Sequence, residues 1–164
     1  MSENDSPSSN GFLKFIVSLG LTLGAGFIAG LFSQNAGEVY SQLILPSFAP
    51  PSWVFMPVWT VLYALMGIAL FLVWTKGRDN PCFKSAISYF MLQLLFNVLW
   101  SVLFFTLGLR VAALVDIIIL LIYIIFTTAK FFKINTAAGL LMIPYIIWVA
   151  YAALLNLFIV MLNG

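Results

Sequence analysis

The amino-acid sequence predicts an all-α integral membrane protein, a bundle of five transmembrane helices. Of its 164 residues, 63% are hydrophobic and only 7% are charged, and the mean hydropathy is +1.12. A soluble domain carries roughly 25% charged residues, so this chain has too few charges to cover a surface that faces water. It also contains five apolar stretches close to the length of about 20 residues that a helix needs to cross a bilayer.

The five stretches follow one another through short joints, which force neighbouring helices to run antiparallel. We predict spans at residues 12–32, 53–75, 82–107, 111–129 and 137–162. The one long joint, residues 33–52, is free to fold over the mouth of the bundle and is called the lid loop below. Residues 1–11 are rich in Ser and Asn and are predicted to be a disordered tail. The first apolar run is too long for a signal peptide, so residues 12–164 are predicted to form one domain with five retained helices.

The basic residues are distributed unequally between the two ends of this bundle. Only Arg110 falls on the side of the lid loop, whereas the opposite side holds Lys14, Lys76, Arg78, Lys84, Lys130 and Lys133. Because basic residues concentrate in cytoplasmic segments, we predict a cytoplasmic N-terminus and an outward-facing lid loop, in a bacterial plasma membrane.

The residue types present in the chain exclude several kinds of chemistry. The chain has no histidine, which removes the commonest general base and metal ligand, and we expect neither a metal nor a cofactor. Cys82 is the only cysteine, so an intrachain disulfide is excluded. The net charge of +2 is too small, and too dispersed, to indicate nucleic-acid binding.

The most informative segment joins the lid loop to the second span. Pro46, Pro50 and Pro51 restrict the backbone of the loop, and Trp53 and Trp59 follow at the start of an apolar helix. A rigid loop above an aromatic helix predicts a binding site for a planar hydrophobic ligand.

Polar residues inside the third and fourth spans allow two interpretations. Gln93, Asn97 and Trp100 are spaced by four and three residues and share one helix face, where they either bond neighbouring helices or contact a ligand. Asp116 is the only acidic residue well inside a span, and it is either a structural hydrogen-bonding group or a functional carboxylate.

The first and fifth spans carry packing patterns. Pro144 is expected to kink the fifth helix or to begin its regular part. Trp148 and Ala152 share a face, so the small residue either leaves a slot for a flat ligand or packs against a neighbouring helix. Gly26 and Gly30 form a G-x-x-x-G pair that permits close helix contact, within one chain or between two.

Four motifs in order resemble the translocator protein (TspO) family, also called tryptophan-rich sensory proteins or peripheral benzodiazepine receptors. The strongest is P-S-[FW]-x-P-P-x-W-V-F-x-P-V-W-x-x-L-Y-x-x-M-G, here Pro46 to Gly67. The others are Q-L-x-x-N-x-x-W from Gln93, A-L-V-D ending at Asp116, and P-Y-x-x-W-x-x-[FY]-A-x-x-L-N from Pro144. Together they span most of the chain.

The resemblance implies a five-helix bundle, often a homodimer, with a ligand cavity between the helices under the first loop. The implied ligands are porphyrins, notably protoporphyrin IX, together with sterols and synthetic isoquinoline or benzodiazepine compounds. With Trp100, which shares the face of Asn97, the implied binding residues are Tyr40, Trp53, Phe55, Trp59, Asn97, Trp100, Trp148 and Ala152. Some bacterial members degrade bound porphyrin in light, and the matching tryptophans here are Trp59 and Trp148.

The chain departs from the family pattern in three places. Phe48 stands where the P-S-W triplet has its tryptophan, and Ala112 stands where a tryptophan often precedes A-L-V-D. The C-terminal sterol motif, a tyrosine followed by a basic residue, is absent from the end of this sequence. Sterol recognition by that route is therefore not expected, and the reversed pattern at Lys84, Tyr89 and Leu92 is a weak signal.

Four functions are consistent with these observations. A binding or sensory protein for porphyrins accounts best for an aromatic site that lacks acid–base residues. A transporter of tetrapyrroles or sterols is the first alternative, although we find no internal repeat. A light-dependent porphyrin-degrading enzyme that uses Trp59 and Trp148 is the second, and a structural membrane subunit is the third.

Overall fold

The computed structural model describes residues 7–163, with side chains described from Asn10 onward, and it confirms the predicted bundle. Within residues 7–163, five helices are long and apolar enough to cross a membrane. They are α1 (Pro7–Phe32), α3 (Phe55–Lys76), α4 (Phe83–Ser101, continued by a π-helical turn over Val102–Thr106), α5 (Arg110–Ile134) and α6 (Thr136–Asn163). A short helix α2 (Ala36–Ser41) lies within the lid loop, and a 3₁₀ turn (Ser52–Val54) leads into α3.

The helices surround the core in the order α1, α3, α6, α5, α4, and α4 closes the ring against α1. Antiparallel pairs joined by short connections make the most extensive contacts, α5 with α6 and α4 with α5. The helix α1 contributes little to the core, because its buried side chains are Ser18, Thr22 and Ala29. It therefore leaves space between itself and α3 and α4.

Two helix boundaries lie five residues from where the sequence predicted them, whereas the others agree within two residues. The helix α1 begins at Pro7, a residue type favoured at the first helical position, so residues 7–11 are helical where a tail was expected; residues 1–6 lie outside the described residues. The helix α5 continues to Ile134, beyond the apolar run, because its terminal Lys130 and Lys133 are compatible with the negative end of a helix. Asn135 alone then separates α5 from α6, and its Oδ1 accepts a hydrogen bond from the N–H of Ala138 at 3.0 Å.

Glycine and proline have distinct roles in these contacts. A Cβ on Gly26 would lie 2.5 to 2.9 Å from the ring of Tyr63, so the absence of a side chain lets α1 approach α3 within one chain. Gly30 has open space at the same position. Pro144 lies inside the continuous helix α6, so it does not mark the start of that helix.

Candidate functional site

A cavity lined by residues of α1, α3 and α4, called the main cavity below, lies beneath the lid loop. Its volume is about 840 Å³, within the range of roughly 300–1,000 Å³ typical of ligand pockets. Apolar and aromatic side chains dominate the wall. Its lining residues are Leu23, Gly26, Phe27, Ala29, Gly30, Ser33, Gln34, Ala36, Gly37, Ser52, Trp53, Phe55, Met56, Pro57, Trp59, Thr60, Tyr63, Asn97, Trp100, Ser101 and Phe105.

Five of the eight expected binding residues line this cavity: Trp53, Phe55, Trp59, Asn97 and Trp100. Phe55 and Trp59 reach it from α3, and Asn97 and Trp100 reach it from α4. Trp53 reaches it from the 3₁₀ turn that leads into α3. Trp53 stands at the mouth with 73% of its surface exposed, whereas Asn97 and Trp100 are buried at the floor. The mouth opens beside exposed apolar residues of α1 and α3, Phe27 and Met56.

Tyr40, Trp148 and Ala152 do not line the main cavity. Trp148 lines a separate apolar groove of about 750 Å³ between α3 and α6, and its Nε1 has no hydrogen-bond partner among the described residues. Tyr40 and Ala152 border a void of only about 20 Å³, together with Phe55 and Trp100. The slot expected above Ala152 is therefore filled by neighbouring side chains.

The ring of Phe55 separates the main cavity from Tyr40, Trp148 and Ala152. It packs edge-on against Tyr40, with ring centroids 5.5 Å apart, and against Trp148, with centroids 5.9 Å apart. Phe55 also lines both the main cavity and the small void. It therefore lies where the main cavity would extend towards Trp148 and Ala152.

The floor of the cavity is a hydrogen-bonded cluster that joins three helices. The Tyr63 hydroxyl donates to Asn97 Oδ1, and Asn97 Nδ2 donates to the Tyr145 hydroxyl at 2.9 Å. Asn97 therefore bonds neighbouring helices, as one interpretation predicted. It also borders the cavity, and its contact with a ligand stays a prediction. Tyr63 was not among the expected binding residues, although its position one turn after Trp59 would have indicated it.

A second polar contact fixes Trp100. Its Nε1 donates to Asn156 Oδ1 at 3.1 Å, and Asn156 Nδ2 donates to the backbone carbonyl of Arg110 at 3.1 Å. The indole also stacks on Phe104 with centroids 5.1 Å apart, at the point where the π-helical turn begins. This contact network holds one wall of the cavity in a fixed orientation.

Gln93 and Asp116, which the sequence singled out inside the spans, have side-chain atoms without a hydrogen-bond partner among the described residues. Gln93 is completely buried, and both its Oε1 and its Nε2 lack a partner among the described residues. Asp116 is 5% exposed, and its Oδ2 likewise has no partner there. Neither residue lines the main cavity, so they belong to the core of the bundle.

The lid loop is fastened at several points. The Tyr40 hydroxyl donates to the carbonyl of Pro50 at 2.9 Å, and the Tyr151 hydroxyl donates to the carbonyl of Phe48 at 2.9 Å. Further along, the backbone of Ile44 exchanges two hydrogen bonds with the Asn163 side chain, each of 3.0 Å. The loop therefore lies along the C-terminal half of α6.

Burial of Tyr40 and the proximity of Tyr151 raise the pKa of the Tyr40 hydroxyl to about 12. Tyr40 is consequently protonated at neutral pH and able to donate to Pro50.

Among the residues that the structure describes, no three His, Cys, Asp or Glu side chains are grouped so as to hold a metal ion.

Residues 18–162 match the model of the TspO/MBR family, which is most of the chain. The chain belongs to the TspO/MBR family. The resemblance that the tryptophan and proline motifs indicated is thus confirmed.

Relatives of this TspO/MBR protein come from bacteria, archaea and animals. It is 38% identical to the tryptophan-rich protein TspO of Chlorobaculum tepidum over 152 residues, 92% of this chain and 96% of the relative. It is 40% identical to the tryptophan-rich protein TspO of Archaeoglobus fulgidus, over 93% of this chain and 98% of the relative. It is 32% identical to the translocator protein of Homo sapiens, over 85% of this chain and 80% of the relative.

Proposed function

We propose that this TspO/MBR protein is a membrane sensor that binds a porphyrin of the protoporphyrin IX type, or a similar planar hydrophobic ligand, in the main cavity. The observation that carries the proposal is the cavity itself, about 840 Å³ of aromatic-walled space beneath the lid loop. Aromatic rings can stack on a flat macrocycle, and Trp53, Trp59 and Trp100 are contributed from separate points of its wall.

The polar groups of the cavity suit the edge of such a ligand. Ser33, Ser52 and Thr60 lie among the lining residues together with Gln34, and hydroxyl and amide groups can hydrogen-bond to carboxylate substituents. Asn97 is the polar group at the floor. The binding site thus combines apolar walls with a few polar groups, as small-molecule sites usually do.

Binding of a full porphyrin would also involve Trp148, Ala152 and Tyr40 if Phe55 changes rotamer. The Phe55 ring is only partly buried, so its movement does not require the helices to separate. The enlarged space would then connect the main cavity with the void beside Ala152, and Trp148 would contact the ligand. The lid loop would close the site from above.

Light-dependent degradation of the bound ligand is the second candidate function, and the arrangement around Trp59 favours it. The Trp59 ring lies 5.7 Å from Tyr63 and 6.2 Å from Tyr145, measured between ring centroids. These oxidisable rings adjoin the cavity wall, so an electron that Trp59 passes to the light-excited porphyrin could be replaced by one from a neighbouring tyrosine. In this structure Trp59, rather than Trp148, borders the main cavity.

We further propose the membrane setting of this binding protein. The basic residues at the joint between α3 and α4 support a cytoplasmic N-terminus, with the lid loop facing outward across a bacterial plasma membrane. We also propose that the protein forms a homodimer. We propose further that it binds sterols and isoquinoline or benzodiazepine compounds.

Titration of the purified protein with protoporphyrin IX in detergent, followed by tryptophan fluorescence, tests the proposed function. Saturable quenching is the expected result, and absence of quenching would contradict binding. Illumination of the complex then separates the two candidates. A new absorbing product that depends on Trp59 would support degradation, whereas quenching without a product would support a sensor.

A further inference from the structure

A cleft lies at the lid-loop end of the bundle, between the start of α5 and the end of α6. This cleft has a volume of about 530 Å³. It is lined by Gly108, Leu109, Arg110, Val111, Ala112, Val115, Val160 and Asn163. Within the part of the chain that the structure describes, none of these residues also lines the main cavity.

The chemistry of the cleft changes with depth. Arg110 is the first residue of α5 and Asn163 is the last residue of α6, so charged and polar groups lie at the level of the membrane surface. Val115 lies five residues further into α5, about 7 Å deeper along the helix axis, and Val160 lies nearly one turn into α6. A phospholipid has the same order, with its phosphate at the surface and its acyl chains below.

Arg110 supplies an unused hydrogen-bond donor. Its Nε is shielded from the surface and has no partner among the described residues, and a buried donor without an acceptor is unfavourable. The backbone of Arg110 is held in place because its carbonyl accepts the Asn156 hydrogen bond. A guanidinium binds the paired oxygens of a phosphate in a bidentate geometry. Because Nε is shielded where it stands, a phosphate pairs with it only when the Arg110 side chain turns towards the cleft.

Ala112 provides the space. It is exposed in the cleft, at the position before A-L-V-D where the family pattern often has a tryptophan. An indole there would occupy volume that the small methyl group leaves open. The cleft thus depends on a residue in which this chain departs from the family pattern.

We infer that the cleft between α5 and α6 binds an anionic phospholipid, with its phosphate on Arg110 and one acyl chain along Val115 and Val160. The lone positive charge of Arg110 at this end of the bundle favours a lipid with net negative charge. This site is distinct from the proposed porphyrin site and does not depend on it.

Native mass spectrometry of the detergent-purified protein with added phosphatidylglycerol tests the inference. We expect a retained adduct of one phosphatidylglycerol per chain, and several-fold less retention of phosphatidylcholine. Arg110→Gln should reduce the phosphatidylglycerol adduct several-fold. Lys133→Gln is the matched control, because it removes one positive charge from the opposite end of the bundle and should leave the adduct unchanged.

Ala112→Trp tests the space independently of the charge, and it should also reduce the adduct several-fold. The unfolding temperature of each variant in detergent, compared with that of the parent, reports whether the bundle is folded, and this readout does not depend on porphyrin binding. Equal adducts in the parent, Arg110→Gln and Ala112→Trp would overturn the inference. Equal loss in Lys133→Gln and Arg110→Gln would overturn it as well, because it would show nonspecific attraction of lipid by charge.

Discussion

The Phe55 ring packs edge-on against the indole of Trp148, with centroids 5.9 Å apart and ring planes inclined by 69°. This contact joins the start of α3 to the middle of α6 and lies between the main cavity and the groove that contains Trp148. We therefore predict that a ligand in the main cavity contacts Trp148 only when the Phe55 side chain moves aside.

Removing that ring should connect the two spaces. We expect Phe55→Ala to bind protoporphyrin IX more tightly than the parent, since more aromatic wall becomes accessible to the macrocycle. Trp148→Leu should then cost more affinity in the Phe55→Ala background than in the parent, and the difference measures the coupling between the two positions. Fluorescence titration of the four proteins provides the measurement. Equal losses in both backgrounds would show that Phe55 does not control access to Trp148.

The hydrogen bond from Tyr40 to Pro50 should make the attachment of the lid loop dependent on pH. Burial raises the pKa of Tyr40 to about 12, above the value of about 10 in an unfolded chain. The protonated form is therefore favoured by folding, and its contribution is complete below about pH 10 and is lost as the pH rises towards 12. Thermal unfolding measured between pH 8 and 11 should show declining stability above pH 10.

Tyr40→Phe is the control for this pH dependence. It removes the hydroxyl and should lower stability at neutral pH by about 1 kcal/mol, the usual net contribution of a hydrogen bond. The part of the decline above pH 10 that belongs to Tyr40 should then disappear. An unchanged pH profile in Tyr40→Phe would mean that another group causes the decline.

The Asn97 cluster should contribute strongly to the stability of the bundle. Asn97→Leu leaves the buried hydroxyls of Tyr63 and Tyr145 without their partner, and an unsatisfied buried group costs about 1–3 kcal/mol. We expect a clearly lower unfolding temperature in detergent. Gln93→Leu is the matched comparison on the same face, because the Gln93 amide has no hydrogen-bond partner to lose among the described residues. Similar destabilisation by both substitutions would contradict the expectation that Asn97→Leu lowers stability more than Gln93→Leu does.

The proposed orientation can be tested with single cysteines in a Cys82→Ser background. A cysteine replacing Glu38, in the lid loop, should react with a membrane-impermeant thiol reagent on intact cells. A cysteine replacing Lys133, at the opposite end, should react only after the membrane is permeabilised. The reverse labelling pattern would place the N-terminus outside.

Much of the fold was predictable because membrane helices follow from local composition. Twenty consecutive apolar residues can satisfy their backbone groups in lipid only as a helix, so the five spans appear directly in the sequence. The spacing of three residues likewise predicted that Asn97 and Trp100 share one face of their helix. The extra turn of α5 beyond Ala129 was missed because Lys130 and Lys133 end the apolar run without ending the helix.

The shape of the cavity could not be predicted in the same way. Trp148 and Ala152 share a face of α6, yet side-chain packing from α3 and the lid loop decides which space each one borders. Nothing in the sequence indicates whether Phe55 lines the wall of one cavity or lies between two. The open cleft at Ala112 was indicated only as a departure from the family pattern.

The comparison of Trp59→Leu with Trp74→Leu tests the central proposal most directly. Both tryptophans lie on α3, about 22 Å apart along its axis, but only Trp59 lines the cavity. Loss of one aromatic contact of about 0.5–1.5 kcal/mol should weaken protoporphyrin IX binding roughly 2- to 12-fold in Trp59→Leu and leave Trp74→Leu like the parent. Unchanged affinity in a folded Trp59→Leu protein would contradict a porphyrin site in this cavity.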